Sequence, residues 1–388
     1  MEKMSVQSLP IRSALALTGA LLLISPISYA ASQATSSQTT SGQKVSFDYD
    51  GFINSVEQQQ QQRMQQLIQH NQALNSAVRL ACQPSDHQAL TTSMKQWSNL
   101  QDLQTLWRNS AQQWQKVQVF PLGPNTDTTV RLNITFWPDK KNLVERKVKG
   151  LIKQGETVDL TKGGIASQGL AASEYLLFDP RHLQKSSVQQ SCPALLAVSA
   201  QSLSNSQMLL TRWQDSEFRE HWHDAGLGND TFASTSQAAG YLLAGLAQGA
   251  EIIAKDKVYK PFRLNKEKAK ANVYLAENWR SGLSLSNIQQ NITDLKQLYK
   301  GIDGKNGPYQ LLQRKGFQSE AESIAQKLDQ VQGQISQLAQ MKEQAFQAAQ
   351  GREWAKSIYK NLMGLEKALK KPLPHFNLAQ KFNSRDGD

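Results

Sequence analysis

Apolar residues in the first half of the chain recur at helical spacing. Ile53, Val56, Met64, Leu67, Leu74 and Val78 fall close to a three-four rhythm, which predicts one long amphipathic helix. The Gln58–Gln62 run lies inside it and reads as its polar face, because glutamine is a fair helix former. Pro84 ends the segment, and Ser85 and Gln88 stand at the spacing of a capping box. The next helix carries Leu90, Met94, Trp97, Leu103, Leu106, Trp107, Trp114 and Val117. Two long helices joined by a short turn pack antiparallel, as in a bundle. The tryptophans read as core and interface filler.

Phe120 to Asn125 reads as a loop, and Pro138 is placed to open a helix that continues through Leu143, Val144, Val148, Leu151 and Ile152. Gly163-Gly164 marks a turn before the stretch GLAASEYLLFDP at 169–180. Gly169 there lets another backbone or a ligand approach closely. Residues 179–192 read as a connection. Further helices are expected at roughly 193–214, 235–258, 265–280, 284–300, 316–348 and 352–370. Strand-like alternation is almost absent. The fold class is therefore all-α, read as two helical bundles, 47–190 and 191–388.

The first thirty residues stand outside this pattern. Lys3 and Arg12 precede an apolar run from Ala14 to Ile24, and Ser28-Tyr29-Ala30 offers small residues for cleavage. This is the pattern of a secretory signal peptide, and the apolar run is too short for a permanent span. No cysteine sits at the cleavage point, so lipid attachment is not expected. Residues 31–46 are Ser/Thr/Gln-rich and read as a disordered linker. The expected location is the periplasm, with no membrane span after cleavage.

The formal charge of +11 is spread thinly, in short lysine clusters without interleaved aromatics. These read as solvated helix faces, not as a nucleic-acid surface. Two cysteines, Cys82 and Cys192, remain in an oxidising compartment. They form either a disulfide clipping the first helix to the second half or two buried thiols.

Familiar catalytic signatures are missing: H-E-x-x-H, G-x-S-x-G and the phosphate-binding glycine loop do not occur. His221-Trp222-His223 is the one local histidine cluster. It reads as a polar loop after a helix ending at Arg219-Glu220, since histidines two apart on a helix face different ways. Glu174 is the residue that does not fit. It stands directly before Tyr175-Leu176-Leu177-Phe178, where an unpaired carboxylate is costly to bury.

Four stretches resemble the imelysin family of exported bacterial proteins, which is also catalogued as a metallopeptidase family. Gly169 to Phe178 is similar to its G-x-H-x-x-E helix, and Phe136-Trp137-Pro138-Asp139-Lys140 to its Trp-Pro-Asp element. Glu277 to Gly282, with Ser284 to Ile288, looks like its second-half motif. Phe382 to Asp388 looks like the ending of one branch. The resemblance implies two helical bundles with the motif helix lining the cleft between them. One departure matters: where the motif has histidine, this chain has Ala171. Histidine and glutamate three apart could share a metal, and alanine offers no ligand.

From the resemblance, the candidate ligand-binding residues are Glu174, Arg131, Trp137, Asp139, Gly169, Trp279, Arg280 and Ser281, with Glu174 also a candidate metal ligand. Glu174 is then either an ion-pair partner of Arg131 or Arg280, holding two helices in register, or a cleft carboxylate that works with Asp139 and Arg280. The leading functional reading is an exported binding or accessory protein linked to iron acquisition. Its partners would be a small ligand or metal ion and other envelope iron-uptake proteins, and iron is the cofactor implied by the resemblance. The rival is a metallopeptidase of the imelysin type, against which Ala171 weighs. A third reading is an envelope interaction module with no small ligand.

Overall fold

The computed structural model describes residues 47–83, 100–119, 122–186, 188–267, 269–302 and 304–378. The signal segment, the linker, Pro84, the Ser85–Gln88 pair, Leu90, Met94, Trp97, Phe120 and the Phe382–Asp388 ending lie outside them. Among the described residues there are fourteen α-helices and no strand, so the molecule is all-α as expected. From Ser46 onward they form one compact unit.

Helix α1 (Tyr49–Ala81) organises that unit. Its 33 residues reach about 50 Å. The Asp48 carboxylate accepts a hydrogen bond from the Gly51 N–H at 2.9 Å and caps its start. Phe52, Ile53 and Val56 enter one hydrophobic core, while Met64, Leu67, Leu74 and Val78 enter another. The helix is thus apolar along one stripe but serves two cores in succession. Near the junction Arg63 pairs with buried Asp294 at 3.1 Å and donates to the Lys116 carbonyl at 2.8 Å.

The first core is built from α1, α2 (Leu100–Gln118), α3 (Thr128–Ile134), α4 (Leu143–Ile152), α5 (Gly169–Phe178) and α7 (Val188–Gln214). The six-residue α6 (Pro180–Lys185) lies in the stretch expected to be a plain connection. The second core gathers the start of α1 with α8 (Glu217–His223), α9 (Thr235–Ile252), α10 (Ser284–Lys300), α11 (Pro308–Arg314), α12 (Gln318–Gln340), α13 (Gln344–Gln347) and α14 (Ala349–Lys370). Helix α9 is rich in alanine and glycine and almost wholly buried, which lets its neighbours approach closely. It runs on into a π-helical turn, Ile253–Tyr259.

Several expected elements differ. Of the described residues in 265–280 only Val273–Leu275 is helical, as a short 3₁₀ turn. Lys266, Glu267 and Lys270 favour helix, but no apolar stripe accompanies them and nothing anchors a helix there. Pro138 does not open a helix; the chain has no regular secondary structure from Thr135 to Asp139 and Trp137-Pro138 is a cis peptide bond. Helix α4 begins at Leu143 instead. His221 and His223 lie within α8, not in a loop after it, with Trp222 buried between them. Cys82 and Cys192 form a disulfide with Cα atoms 5.6 Å apart, tying the end of α1 to α7. Among the described residues, no helix is long and apolar enough to cross a membrane.

Candidate functional site

Every residue of α5 is buried, including Glu174. A helix apolar all round must sit inside the molecule. Two contacts fix it there. The Trp107 indole N–H donates to the Leu170 carbonyl at 3.1 Å and to Ser173 Oγ at 3.0 Å. Gly169, at φ +72°, has no Cβ to collide with the Ile134 and Asn133 carbonyl oxygens, which such an atom would meet at 2.5 and 2.7 Å. The close backbone approach expected at Gly169 is therefore present, between α5 and the end of α3.

Glu174 faces the turn Asn278–Leu283. Its Oε1 accepts from the Ser281 backbone N–H at 2.9 Å and from Ser281 Oγ at 2.8 Å. Burial pushes the Glu174 carboxyl above its ordinary pKa; the Ser281 and Asn278 hydrogen bonds and the charge of Arg280 oppose this without reversing it. Asn278 takes up φ +54°, and its carbonyl accepts from the Leu283 N–H at 3.1 Å, closing the turn. Arg280 pairs instead with Asp179 at 3.1 Å and lies over the Trp279 and Tyr175 rings. Burial raises the Asp179 carboxyl, but Arg181 and Arg280 outweigh it and hold it below the usual range. Trp279 packs edge-on to Tyr274 with centroids 4.7 Å apart.

A second polar cluster was not expected. Lys257, on the π-helical turn, is buried and donates to Glu277 at 2.8 Å, Gln115 at 2.6 Å and Asn291 at 2.6 Å. All three ammonium protons are engaged. Gln118 donates to the other oxygen of Glu277 at 3.1 Å. Burial pushes Lys257 below its ordinary pKa, Glu277 opposes that, and Arg131 adds to the lowering.

Beside this cluster lies a cavity of about 480 Å³. Its walls include Trp114 and Gln118 of α2, Arg131 of α3, Trp137, Gln248 of α9 and Asp256. The hydroxyl-bearing Thr126, Thr128 and Thr135 also line it. Two buried polar atoms in these side chains have no hydrogen-bond partner among the described residues, the Trp114 indole N–H and the Gln248 amide oxygen. The cavity thus offers hydroxyls, charged side chains and aromatic faces. Its volume is that of a small-molecule site.

Seven of the eight residues read from the sequence therefore fall into two places. Glu174, Trp279, Arg280 and Ser281 meet at the turn against α5, with Gly169 at the start of that helix. Arg131 and Trp137 line the cavity, where Glu174 is not part of the wall. The Trp137 indole N–H donates to the Leu275 carbonyl at 3.1 Å. Asp139 serves neither place: its two oxygens accept from the Leu143 and Val144 N–H groups at 2.7 and 3.0 Å, capping α4. Of the two readings of Glu174, the ion pair with an arginine is not formed: Ser281 supplies its hydrogen bonds, and Arg280 acts on it only through space.

A metal does not fit at the motif position. Ala171 carries no donor atom, and Glu174 Oε1 already accepts two hydrogen bonds from Ser281. Among the described residues, no group of three or more His, Cys, Asp or Glu side chains is arranged to hold an ion.

The family model for imelysin, peptidase family M75, matches residues 60–369. The chain belongs to the imelysin family. Solved imelysin-type structures share its fold. An imelysin-like protein from Psychrobacter arcticum 273-4 superposes with a TM-score of 0.67 at 17% identity, covering 87% of this chain and 100% of that one. A protein described as an iron-regulated protein A precursor, from Parabacteroides distasonis ATCC 8503, gives a TM-score of 0.63 at 17% identity, covering 85% and 96%. Among curated proteins none matches. The imelysin fold thus accounts for the helical architecture, while the cavity and the Lys257 cluster rest on this chain's own residues.

Proposed function

We propose that the chain is an exported imelysin-family binding protein that holds a small polar ligand in the cavity walled by Trp114, Arg131, Trp137 and Gln248. The observation that supports this reading is the cavity of about 480 Å³ itself, which brings Arg131, three threonines and the aromatic Trp114 and Trp137 around one space. A ligand with polar groups meets the threonine hydroxyls while its apolar part packs on the tryptophan faces.

The proposed setting is iron acquisition in the periplasm. It draws on the signal-like N-terminus and on the iron-regulated name borne by the Parabacteroides relative. The ligand in this reading is an organic or oxyanionic molecule, not a bare ion, because Glu174 and Asp139 are both engaged with backbone N–H groups. The peptidase name of the family is not carried over, since the motif residues at 171 and 174 present no metal-binding pair.

The test is to purify the mature protein without a metal-affinity tag, release bound molecules by denaturation and identify them by mass spectrometry beside elemental analysis. Wild type should release a small polar compound, and Arg131→Gln should release less. Stoichiometric iron or zinc that disappears in Glu174→Gln would overturn the reading in favour of a metal protein.

A further inference from the structure

A second cavity, of about 310 Å³, adjoins the first across Pro138, which lines both. Its wall carries four cations, Lys140, Lys260, Arg263 and Lys266, with Tyr259 and Asn265. Among the described residues, no Asp or Glu lines it. Lys260 is paired with Asp256, one turn earlier. Among the described residues, Lys140, Arg263 and Lys266 have no carboxylate within ion-pair distance. Like charges around one small space repel, and an anion of more than one charge entering it relieves several repulsions together.

The wall is also held in place. Arg352 reaches the loop that follows the π-helical turn and donates to four of its carbonyls, Phe262, Arg263 at 3.2 Å, Lys266 at 2.6 Å and Ala269 at 3.0 Å. A guanidinium with its donors in a rigid fork fixes backbone more firmly than a lysine could. The loop keeps Arg263 at φ +51° and half-buried, facing the cavity. Tyr259 is braced by Tyr359, ring centroids 4.9 Å apart. Cations on an anchored backbone lose less freedom on binding than cations on a mobile loop.

We infer that this second cavity binds a small, multiply charged oxyanion, a polycarboxylate or a phosphate. The guanidinium of Arg263 suits the planar or trigonal array of oxygens in either group, and Lys140 and Lys266 supply compensating charge. The site stands independently of the ligand proposed for the first cavity, because none of its four cations lines that cavity.

Isothermal titration calorimetry on the mature chain decides it, with citrate and with inorganic phosphate as separate titrants at low and at physiological salt. At least one anion should bind, more weakly at the higher salt. Lys140→Gln/Lys266→Gln, both exposed positions, should lower that affinity about tenfold or more, the effect of losing one charge-assisted hydrogen bond. Arg131→Gln should leave it unchanged, which separates this site from the first cavity. Binding of citrate alone assigns a polycarboxylate, and binding of phosphate alone assigns a phosphate. No heat with either anion overturns the inference, as does an affinity unaltered in the double variant. Circular dichroism checks that the double variant is folded; if it is not, Lys140→Gln alone carries the test with the same direction of change.

Discussion

Ser281 binds one oxygen of Glu174 twice, through its backbone N–H at 2.9 Å and its hydroxyl at 2.8 Å. The glutamate of the motif helix is therefore the anchor of a turn more than a hundred residues away in sequence. That turn presents Arg280 to Asp179 and Trp279 to Tyr274. The position that a catalytic reading would use for chemistry here joins α5 to the segment leading into α10.

Glu174→Gln and Glu174→Ala should behave differently. Glutamine keeps an acceptor for Ser281, whereas alanine leaves the Ser281 N–H unmet, the hydroxyl keeping the Asn278 carbonyl at 3.0 Å, and should cost about 1–3 kcal/mol. The pH dependence follows from the raised pKa. A carboxyl whose folded pKa lies above its ordinary 4.5 contributes stability that is fully present below 4.5 and is lost as pH rises through the folded value. The stability of Glu174→Gln relative to wild type should therefore rise with pH from 4.5 and then level off. Urea unfolding across the acid range measures it. A difference that stays flat, or that falls with pH, contradicts the assignment.

Gly169→Ala should destabilise by about 2–4 kcal/mol, from the left-handed backbone and the overpacking together. The methyl would meet the Ile134 and Asn133 carbonyl oxygens at the junction of α3 and α5. Chemical unfolding gives the loss directly. A near-neutral result would mean that α5 can shift away from α3.

How far the sequence carries can be seen at single residues. Glu174 was conspicuous because one charge interrupts an apolar run, and Gly169 because a glycine opens a helix. Helix periodicity located α1, α10 and α14 because each presents one apolar stripe to a core. The partner of Glu174 was not legible: it is a backbone N–H exposed by a turn that needs Asn278 at positive φ, and spacing carries no trace of that. Lys257 was hidden for another reason. The stretch IIAKDKVYK falls at the end of the helix expected over 235–258, and the π-helical turn there changes the residues per turn and directs Lys257 inward. The helix expected over 265–280 failed because local propensity yielded to the carbonyl hydrogen bonds from Arg352.

Removing the disulfide should lower stability by about 4–5 kcal/mol on the chain-entropy model, since it closes a loop between residues separated by 110 positions. The Cys82→Ser/Cys192→Ser variant, compared with wild type by thermal and urea unfolding in the absence of reductant, tests this. Adding reductant should change wild type toward the variant and leave the variant unaffected. Equal stability of the two proteins would show that the bond has no part in holding α1 to α7.

The buried pair of Lys257 and Glu277 should be strongly coupled. Glu277→Gln or Lys257→Met alone strands one charge among buried amides and should cost about 3–5 kcal/mol. The double variant, Lys257→Met/Glu277→Gln, removes both charges and should lose clearly less than the sum of the singles. The pH response separates charge from packing. Lys257 has a folded pKa below its ordinary 10.5, so the unfolded chain holds the proton more tightly and stability rises with pH across the window below 10.5. Without Glu277 opposing it, that lowering grows, and the Glu277→Gln variant should recover part of its loss as pH is raised toward 10.5. Denaturant unfolding of the four proteins at neutral and alkaline pH closes the cycle. Additive single effects, with no alkaline recovery in Glu277→Gln, would mean that the two groups act as separate packing elements beside the cavity and not as an ion pair.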